Sequence, residues 1–255
     1  MKIGIIGIGN MGSAIAKGLL GKNELFLSNR GSDLEFFKDK EVYIMENREV
    51  VKNSDYIILA VKPNYYKEVI DEIKDLLENK VFISIAAGFS LEKLEKLLGS
   101  DKKIVMSMPN TPASVGEGMS ILCPNSNVNE EEFSNVLDIF SSFGKAIKID
   151  QNQFDAASVL NGCLPAFVDL FVESLSDGAV LCGLKRDISY KLIAQTIIGS
   201  IKLIEDSKDH PGLLKDKVTS PKGTTIEGVK ALEENNFRAS LIKAVEASFN
   251  KSKNM

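Results

Sequence analysis

The sequence predicts an α/β protein in which an N-terminal doubly wound parallel sheet is followed by a separate all-helical domain. Three observations carry this reading. Short β-rich runs alternate with amphipathic stretches up to Asp150, the pattern of parallel strands covered by helices. A glycine-spaced turn, Gly7-Ile8-Gly9-Asn10-Met11-Gly12, ends the first run and opens the first helix. After Asp150 the β-type alternation stops and long helical patterns take over.

The elements follow in order. Strands are expected at Lys2–Ile8, Leu25–Ser28, Tyr56–Val61, Val81–Ala86, Ile104–Met106 and Ser120–Cys123, with a closing strand at Ala146–Ile149. Helical spacing marks Ser13–Leu20, Leu34–Lys38, Tyr65–Leu77 and Leu91–Leu98. Beyond the boundary, Phe154–Leu184 and Ile188–Glu205 are long and helical in pattern. A loop at His210-Pro211-Gly212, the polar turn Val218–Gly228 and a last helix through Ala244 follow, and the polar tail Asn250–Met255 is expected to fray. This gives a sheet domain over residues 1–151 and a helical domain over residues 152–255.

Composition narrows the function. The 255 residues are 44% hydrophobic and 26% charged, as in an ordinary globular protein. A net charge of -4 argues against nucleic acid as partner, which calls for a concentrated basic face. No continuous apolar run reaches the roughly 18 residues of a membrane span, so no membrane partner is expected. The start, MKIGIIGIGN, reads as a buried strand, because glycines interrupt the apolar run and no small-residue cleavage site follows. Cys123, Cys163 and Cys182 form no C-x-x-C pair, and His210 is the single histidine. Neither a disulfide framework nor a metal site is supported, and the expected setting is the reduced cytoplasm.

The glycine turn has a specific physical reading. Gly7 permits a tight turn, Gly9 lets the backbone approach a pyrophosphate, and Gly12 lets the helix pack on the strand. The N–H groups at the helix start then face the phosphates. A merely glycine-rich turn is the blander alternative, but its place between an apolar strand and a helix favours dinucleotide binding. The second strand ends in Ser28-Asn29-Arg30 rather than in an acid. An acid there would repel a 2′-phosphate, whereas Asn29 and Arg30 attract one, so NADP(H) is preferred over NAD(H). Asp33 competes as the acid, but Ser32-x-x-Glu35 has capping-box form and assigns Asp33 to a first helical turn.

The reaction is read by elimination. A hydroxy-acid dehydrogenase needs a placed acid/base, yet residues 149–184 hold no Lys, Arg or His. His210 precedes a proline and reads as a turn residue, while Asp155, Asp169, Glu173 and Asp177 suit a helix surface. Hydride addition to a C=N bond asks for less acid/base help, because the protonated imine is already electrophilic.

These motifs converge on one family. Through GIGNMGSAIAKGL, AVKPN, SIAAGFS, MPNTPASVGEGM, the run from GAVLCGLKR to AQTIIGS, and HPGLLKDKVTSPKGTTIEGVKALE, the chain resembles pyrroline-5-carboxylate reductases along nearly its whole length. The resemblance implies an NADP-binding Rossmann domain, a helical domain that dimerises by interleaving helices, and further assembly into rings of dimers. It implies NAD(P)H-dependent reduction of 1-pyrroline-5-carboxylate to L-proline, by hydride transfer to the cyclic imine carbon in proline biosynthesis. Residue by residue, it assigns Gly7, Ile8, Gly9, Asn10, Met11 and Gly12 to the pyrophosphate and Asn29 and Arg30 to the 2′-phosphate. Asn47 falls on the adenosine side. Ala60, Val61, Lys62, Pro63, Ala86, Ala87 and Gly88 lie along the cofactor at strand ends, with Asn110 near the nicotinamide. Thr225 is assigned to the ring nitrogen as the catalytic contact, and Ser220 with the Gly223, Thr224 and Thr225 backbone to the substrate carboxylate.

Two segments depart from the family pattern. Where members commonly read S-G-S-G-P-A-Y, this chain has Asn161-Gly162-Cys163-Leu164-Pro165-Ala166-Phe167, and where they read P-G-G-T-T it has Pro221-Lys222-Gly223-Thr224-Thr225. Cys163 reads as a small buried residue replacing Ser. Thr224 and Glu227 have capping-box spacing, with Thr224 as N-cap. The departures keep open a reductase of another cyclic imine acid. A non-catalytic NADP-binding paralogue is the remaining alternative, and the intact Thr224-Thr225-Ile226-Glu227-Gly228 argues against it.

Overall fold

The computed structural model describes residues 1–31 and 34–253. Ser32 and Asp33, and with them the capping box expected at Ser32 and Glu35, lie outside the described residues. The chain divides into two compact units, residues 1–165 with the last residues from Lys251, and residues 166–250.

The first unit is built on eight strands: β1 (Lys2–Ile6), β2 (Glu24–Ser28), β3 (Val42–Ile44), β4 (Tyr56–Leu59), β5 (Val81–Ser84), β6 (Lys103–Pro109), β7 (Gly118–Pro124) and β8 (Gly144–Lys148). They form one sheet in the order β3-β2-β1-β4-β5-β6-β7-β8. Strand order reverses direction between β1 and β4, which pair in parallel with Ile5 opposite Ile58. That reversal is the topological switch point of a doubly wound sheet, where ligands bind beyond the carboxyl ends of the strands.

Six of the pairings are parallel, but β6 and β7 run antiparallel, with Ser107 opposite Leu122, which corrects the all-parallel expectation. The reason is chain length. Only the loop with the short 3₁₀ segment Thr111–Val115 joins them, and a parallel return requires a dozen or more residues.

Helices α1 (Asn10–Leu19), α2 (Asn47–Asn53), α3 (Tyr66–Ile73), α4 (Leu91–Leu98) and α5 (Glu130–Ser141) cover the sheet. Side-chain alternation divides each strand between two cores. Ile3, Ile5, Leu25, Leu27, Ile58 and Ile83 join α1 and α5 residues such as Ile15, Ile139 and Phe140 in one. Ile6, Phe26, Ile57, Leu59 and Phe82 join Val50, Tyr66, Ile70 and Leu94 of α2, α3 and α4 in the other.

Several expected boundaries move. The helix expected at Leu34–Lys38 is one 3₁₀ turn, Glu35–Phe37. The stretch Tyr65–Leu77 is α3 flanked by 3₁₀ turns at Pro63–Tyr65 and Lys74–Leu76. β3, α2 and α5 are additional to the sequence reading.

The helical region comprises α6 (Gln151–Leu181), α7 (Arg186–Ser207), α8 (Pro211–Lys217), α9 (Thr224–Glu234) and α10 (Phe237–Ser252). The tail expected to fray from Asn250 therefore stays helical to Ser252. His210 is not a plain loop residue: its Nδ1 accepts the Gly212 N–H at 3.0 Å and caps α8. The change in sequence character near residue 150 marks the start of α6, but the compact units part after Pro165, inside that helix. The first turns of α6 belong with the sheet because Phe154 packs in its core. The sequence shows no continuous apolar run of membrane length, yet α6 is long and apolar enough to cross a membrane by length and composition, with hydropathy 1.3 over an 18-residue window. Ala, Gly and Ser, together with Asp155, Asp169, Glu173 and Asp177, interrupt its apolar residues.

Candidate functional site

The carboxyl ends of β1, β2, β4, β5 and β6 bring the sequence-predicted cofactor residues to one edge of the sheet. Gly7–Gly12 follow β1, Asn29 and Arg30 follow β2, Ala60–Pro63 follow β4, Ala86–Gly88 follow β5, and Asn110 follows β6. Asn47 opens α2.

The glycine turn is shaped by close contact. Gly7 has φ +99°, a conformation that glycine adopts without strain. A Cβ on Gly12 would lie 1.9 Å from the Gly7 carbonyl oxygen, whereas one on Gly9 would meet no atom within 4 Å. Gly9 is also the N-cap of α1 and supplies no side-chain cap. The first turn thus presents backbone N–H groups and the positive end of a helix toward open space. These residues fit a dinucleotide: packing closes the Gly12 side and leaves the Gly9 side for a pyrophosphate.

The turn is anchored from β2. The Gly7 N–H donates to the Ser28 carbonyl at 2.8 Å, and the Ile8 N–H donates to Asn29 Oδ1 at 3.2 Å. Part of Asn29 is therefore structural. Ser28 Oγ donates to Asn47 Oδ1 at 2.7 Å, and Asn47 Nδ2 donates to Glu72 Oε2 at 2.8 Å, so both ends of the Asn47 amide are engaged. Arg30 Nη1 pairs with Glu68 Oε1 at 2.7 Å. This contact raises the guanidinium pKa above its ordinary value. Below β4, the buried Tyr66 hydroxyl donates to the Leu59 carbonyl at 2.7 Å, and burial pushes its pKa up.

The loop after β6 is held by a residue pair that sequence reasoning did not connect. Asn110 Oδ1 accepts the Met119 N–H at 2.8 Å. Its Nδ2 donates to Asn161 Oδ1 at 3.1 Å and to the Asn161 carbonyl at 3.4 Å. Asn161 Nδ2 donates in turn to the carbonyls of Met108, 2.7 Å, and Met119, 2.9 Å. Pro165, four residues on, has no N–H to give to the Asn161 carbonyl, and Asn110 takes that vacant acceptor. The signal was present in the sequence as Asn161-x-x-x-Pro165, a carbonyl freed inside a helix.

The second unit holds the turn before α9. Lys222 has φ +59°, the left-handed conformation that favours glycine. The Gly223 N–H donates to the Ser220 carbonyl at 3.0 Å, and a Cβ on Gly223 would lie 2.3 Å from Ser220 Oγ. That close approach sets the helix start. Gly223, not Thr224, is the N-cap, and no side-chain cap bond forms. Glu227 then falls at the fourth helical position, so the capping box expected at Thr224 and Glu227 does not exist. Ser220, Thr224 and Thr225 are exposed around first-turn N–H groups that carry no side-chain cap, the elements of a small anion site.

Sheet order and glycine turn define a Rossmann-type dinucleotide-binding protein. Comparison with known proteins sharpens this. Residues 2–88 match the family model "NADP oxidoreductase coenzyme F420-dependent", and residues 151–255 match "Pyrroline-5-carboxylate reductase dimerisation". The chain is 39% identical to the Escherichia coli pyrroline-5-carboxylate reductase, over 100% of this chain and 98% of that protein. It is 38% identical to the Arabidopsis thaliana enzyme, over 100% of this chain and 95% of that one. A Plasmodium falciparum pyrroline carboxylate reductase solved with NADP bound superposes with TM-score 0.91 at 40% identity, covering 100% of this chain and 97% of that one. The chain belongs to the pyrroline-5-carboxylate reductase family.

Proposed function

We propose that the protein reduces 1-pyrroline-5-carboxylate to L-proline, with NADPH preferred over NADH. The observation that carries this is the presence, in one chain matching 98% of a family member's length, of an open glycine turn at β1 and the Ser220–Thr225 turn at α9. NADPH, when bound, supplies the hydride. The chain's own residues bind and orient. The α1 N-terminus takes the pyrophosphate, Arg30 takes the 2′-phosphate, and Lys62, Pro63, Ala86, Ala87 and Gly88 line the path to Asn110. Ser220 and the N–H groups of Thr224 and Thr225 hold the substrate carboxylate, and the Thr225 hydroxyl accepts from the protonated ring nitrogen. No side chain moves a proton in the hydride step, because the imine arrives protonated and the product amine keeps that proton. The protein acts in the cytoplasm as a homodimer that assembles further into a ring of dimers.

The test is NADPH oxidation by the purified protein with the imine acid, with L-proline identified as the product. Absence of turnover by protein that binds NADPH rejects the reading. Asn161 and Lys222, which differ from the common family pattern, favour one competing substrate, a cyclic imine acid of another ring size. Relative kcat/KM across ring sizes decides between the two.

A further inference from the structure

The residues around Arg30 form a connected charge network on α3. Glu68 Oε1 lies 2.7 Å from Arg30 Nη1, and Glu72 Oε2 lies 3.9 Å from Arg30 Nη2. The two carboxylates differ in how they are held. Glu72 also accepts from the Asn47 amide, which Ser28 fixes from its other end. It is tied into the ends of β2 and α2. Among the described residues the one contact of the Glu68 carboxylate is the Arg30 guanidinium, and both side chains are more than half exposed. An exposed pair of this kind is weak and exchangeable.

A guanidinium fork binds a phosphate and a carboxylate through the same N–H groups. We propose that Glu68 is a specificity-determining residue: its carboxylate holds the fork that a 2′-phosphate needs, so NADPH must displace it and NADH need not. This rests on the reading of Arg30 as the 2′-phosphate subsite. Glu68 narrows the margin between the two cofactors without touching the nicotinamide end. Glu72, bonded to Asn47, lies 3.9 Å from the fork, outside hydrogen-bonding range.

Calorimetric titration of NADPH and NADH into the purified full-length protein tests this without relying on turnover. Three variants are compared with the parent: Glu68→Gln, Arg30→Gln and the double substitution. Glu68→Gln raises the NADPH-to-NADH affinity ratio roughly two- to fivefold at low salt, the strength of an exposed ion pair. The increase shrinks as salt is added. In the Arg30→Gln background the Glu68 substitution no longer moves the ratio. A merely structural role for Glu68 changes both affinities together, leaves the ratio fixed and overturns the proposal. If Arg30→Gln lowers the ratio but Glu68→Gln does not raise it, the Glu68 role falls while the 2′-phosphate subsite stands. If Arg30→Gln leaves the ratio unchanged, the subsite and the proposal fall together.

Discussion

In the sheet unit Ile3, Ile5, Leu25 and Leu27 are sealed from solvent, whereas in the helical unit Leu170, Ile242 and Leu181 stand 63, 60 and 89% exposed. Among the described residues every buried hydrophobic side chain precedes residue 160, and beyond Ala166 only Ser176 and Ser189 are buried. The two serines bond each other at 2.5 Å, and Arg186 reaches Ser176 at 3.2 Å and Asp177 at 2.6 Å. Such polar ties fix how α6 meets α7. They do not offset the conformational entropy lost in ordering five helices. Apolar surface on this scale marks an interface, and this region matches the family's dimerisation model. The sheet unit therefore seals its own core, whereas the helical unit leaves exposed the apolar surface expected of a dimerisation region.

The largest expected effect breaks that contrast directly. Ile201→Glu with Leu203→Glu on α7 places two charges on the exposed apolar surface. Burying them in an interface costs on the order of several kcal/mol. Light scattering then gives the 27.9 kDa mass of one chain, with loss of far-ultraviolet helical signal. Tyr43→Glu on β3, at a side chain 53% exposed in the sheet unit, leaves the assembly mass unchanged. An unchanged mass in the α7 variant would overturn the division of roles.

The next effect separates fold from cofactor within the sheet unit. Gly12→Ala drives a Cβ to 1.9 Å from the Gly7 carbonyl oxygen, costing about 3 kcal/mol and lowering Tm by roughly 6–12 °C. Gly9→Ala meets open space, so Tm holds while NADPH affinity drops about tenfold, as a methyl group intrudes on the pyrophosphate position. Equal Tm losses in the two variants would remove the assignment of Gly9 to the ligand side.

Asn161 marks where α6 joins the sheet, and its removal has a smaller cost. Asn161→Ala leaves the Met108 and Met119 carbonyls without that donor, and leaves the Asn110 amide only its longer bond to the carbonyl of residue 161. Buried polar groups left this way cost about 2 kcal/mol, read as a lower denaturant midpoint. Asn161→Ser, the residue common in the family, supplies one donor and recovers part of that loss.

The same contrast explains how much could be read from the sequence. Strands β1, β4 and β5 and helix α4 are sealed against neighbours on fixed periods, so their apolar spacing announces them. The glycine turn was legible because it sits between an apolar strand and a helix; Gly7 and Gly12 answer steric demands within the fold, and Gly9 leaves open space. β3 was not, because Tyr43 and Ile44 lie exposed at the sheet edge and the strand is three residues long. α5 carried a readable signal, Asn129 with Glu132 in a capping box. At the site, the Arg30 and Asn110 positions were legible as chemistry. Their pairing with Glu68 and Asn161 was not, across 38 and 51 residues; Asn161-x-x-x-Pro165 signals a freed carbonyl but not what bonds it. Thr224 misled because its spacing to Glu227 satisfies the capping rule, while the Ser220 contact at Gly223 starts the helix one residue sooner.

Lys222 gives the smallest effect and the finest test of the helical unit. Its φ of +59° costs a side-chain-bearing residue about 1 kcal/mol, and glycine removes that penalty while adding unfolded-state entropy. Lys222→Gly therefore changes stability by no more than about 1 kcal/mol, in the stabilising direction. In this turn the lysine stands against its own conformational preference. The neighbouring Ser220 and Thr225 are the residues proposed to bind the substrate. The ammonium adds positive charge beside the turn proposed to take the carboxylate, so on that reading Lys222→Gly raises the KM for the imine acid several-fold and leaves that for NADPH in place. A rise in Tm with no change in substrate KM would reduce Lys222 to tolerated strain and leave carboxylate binding to Ser220 and the backbone.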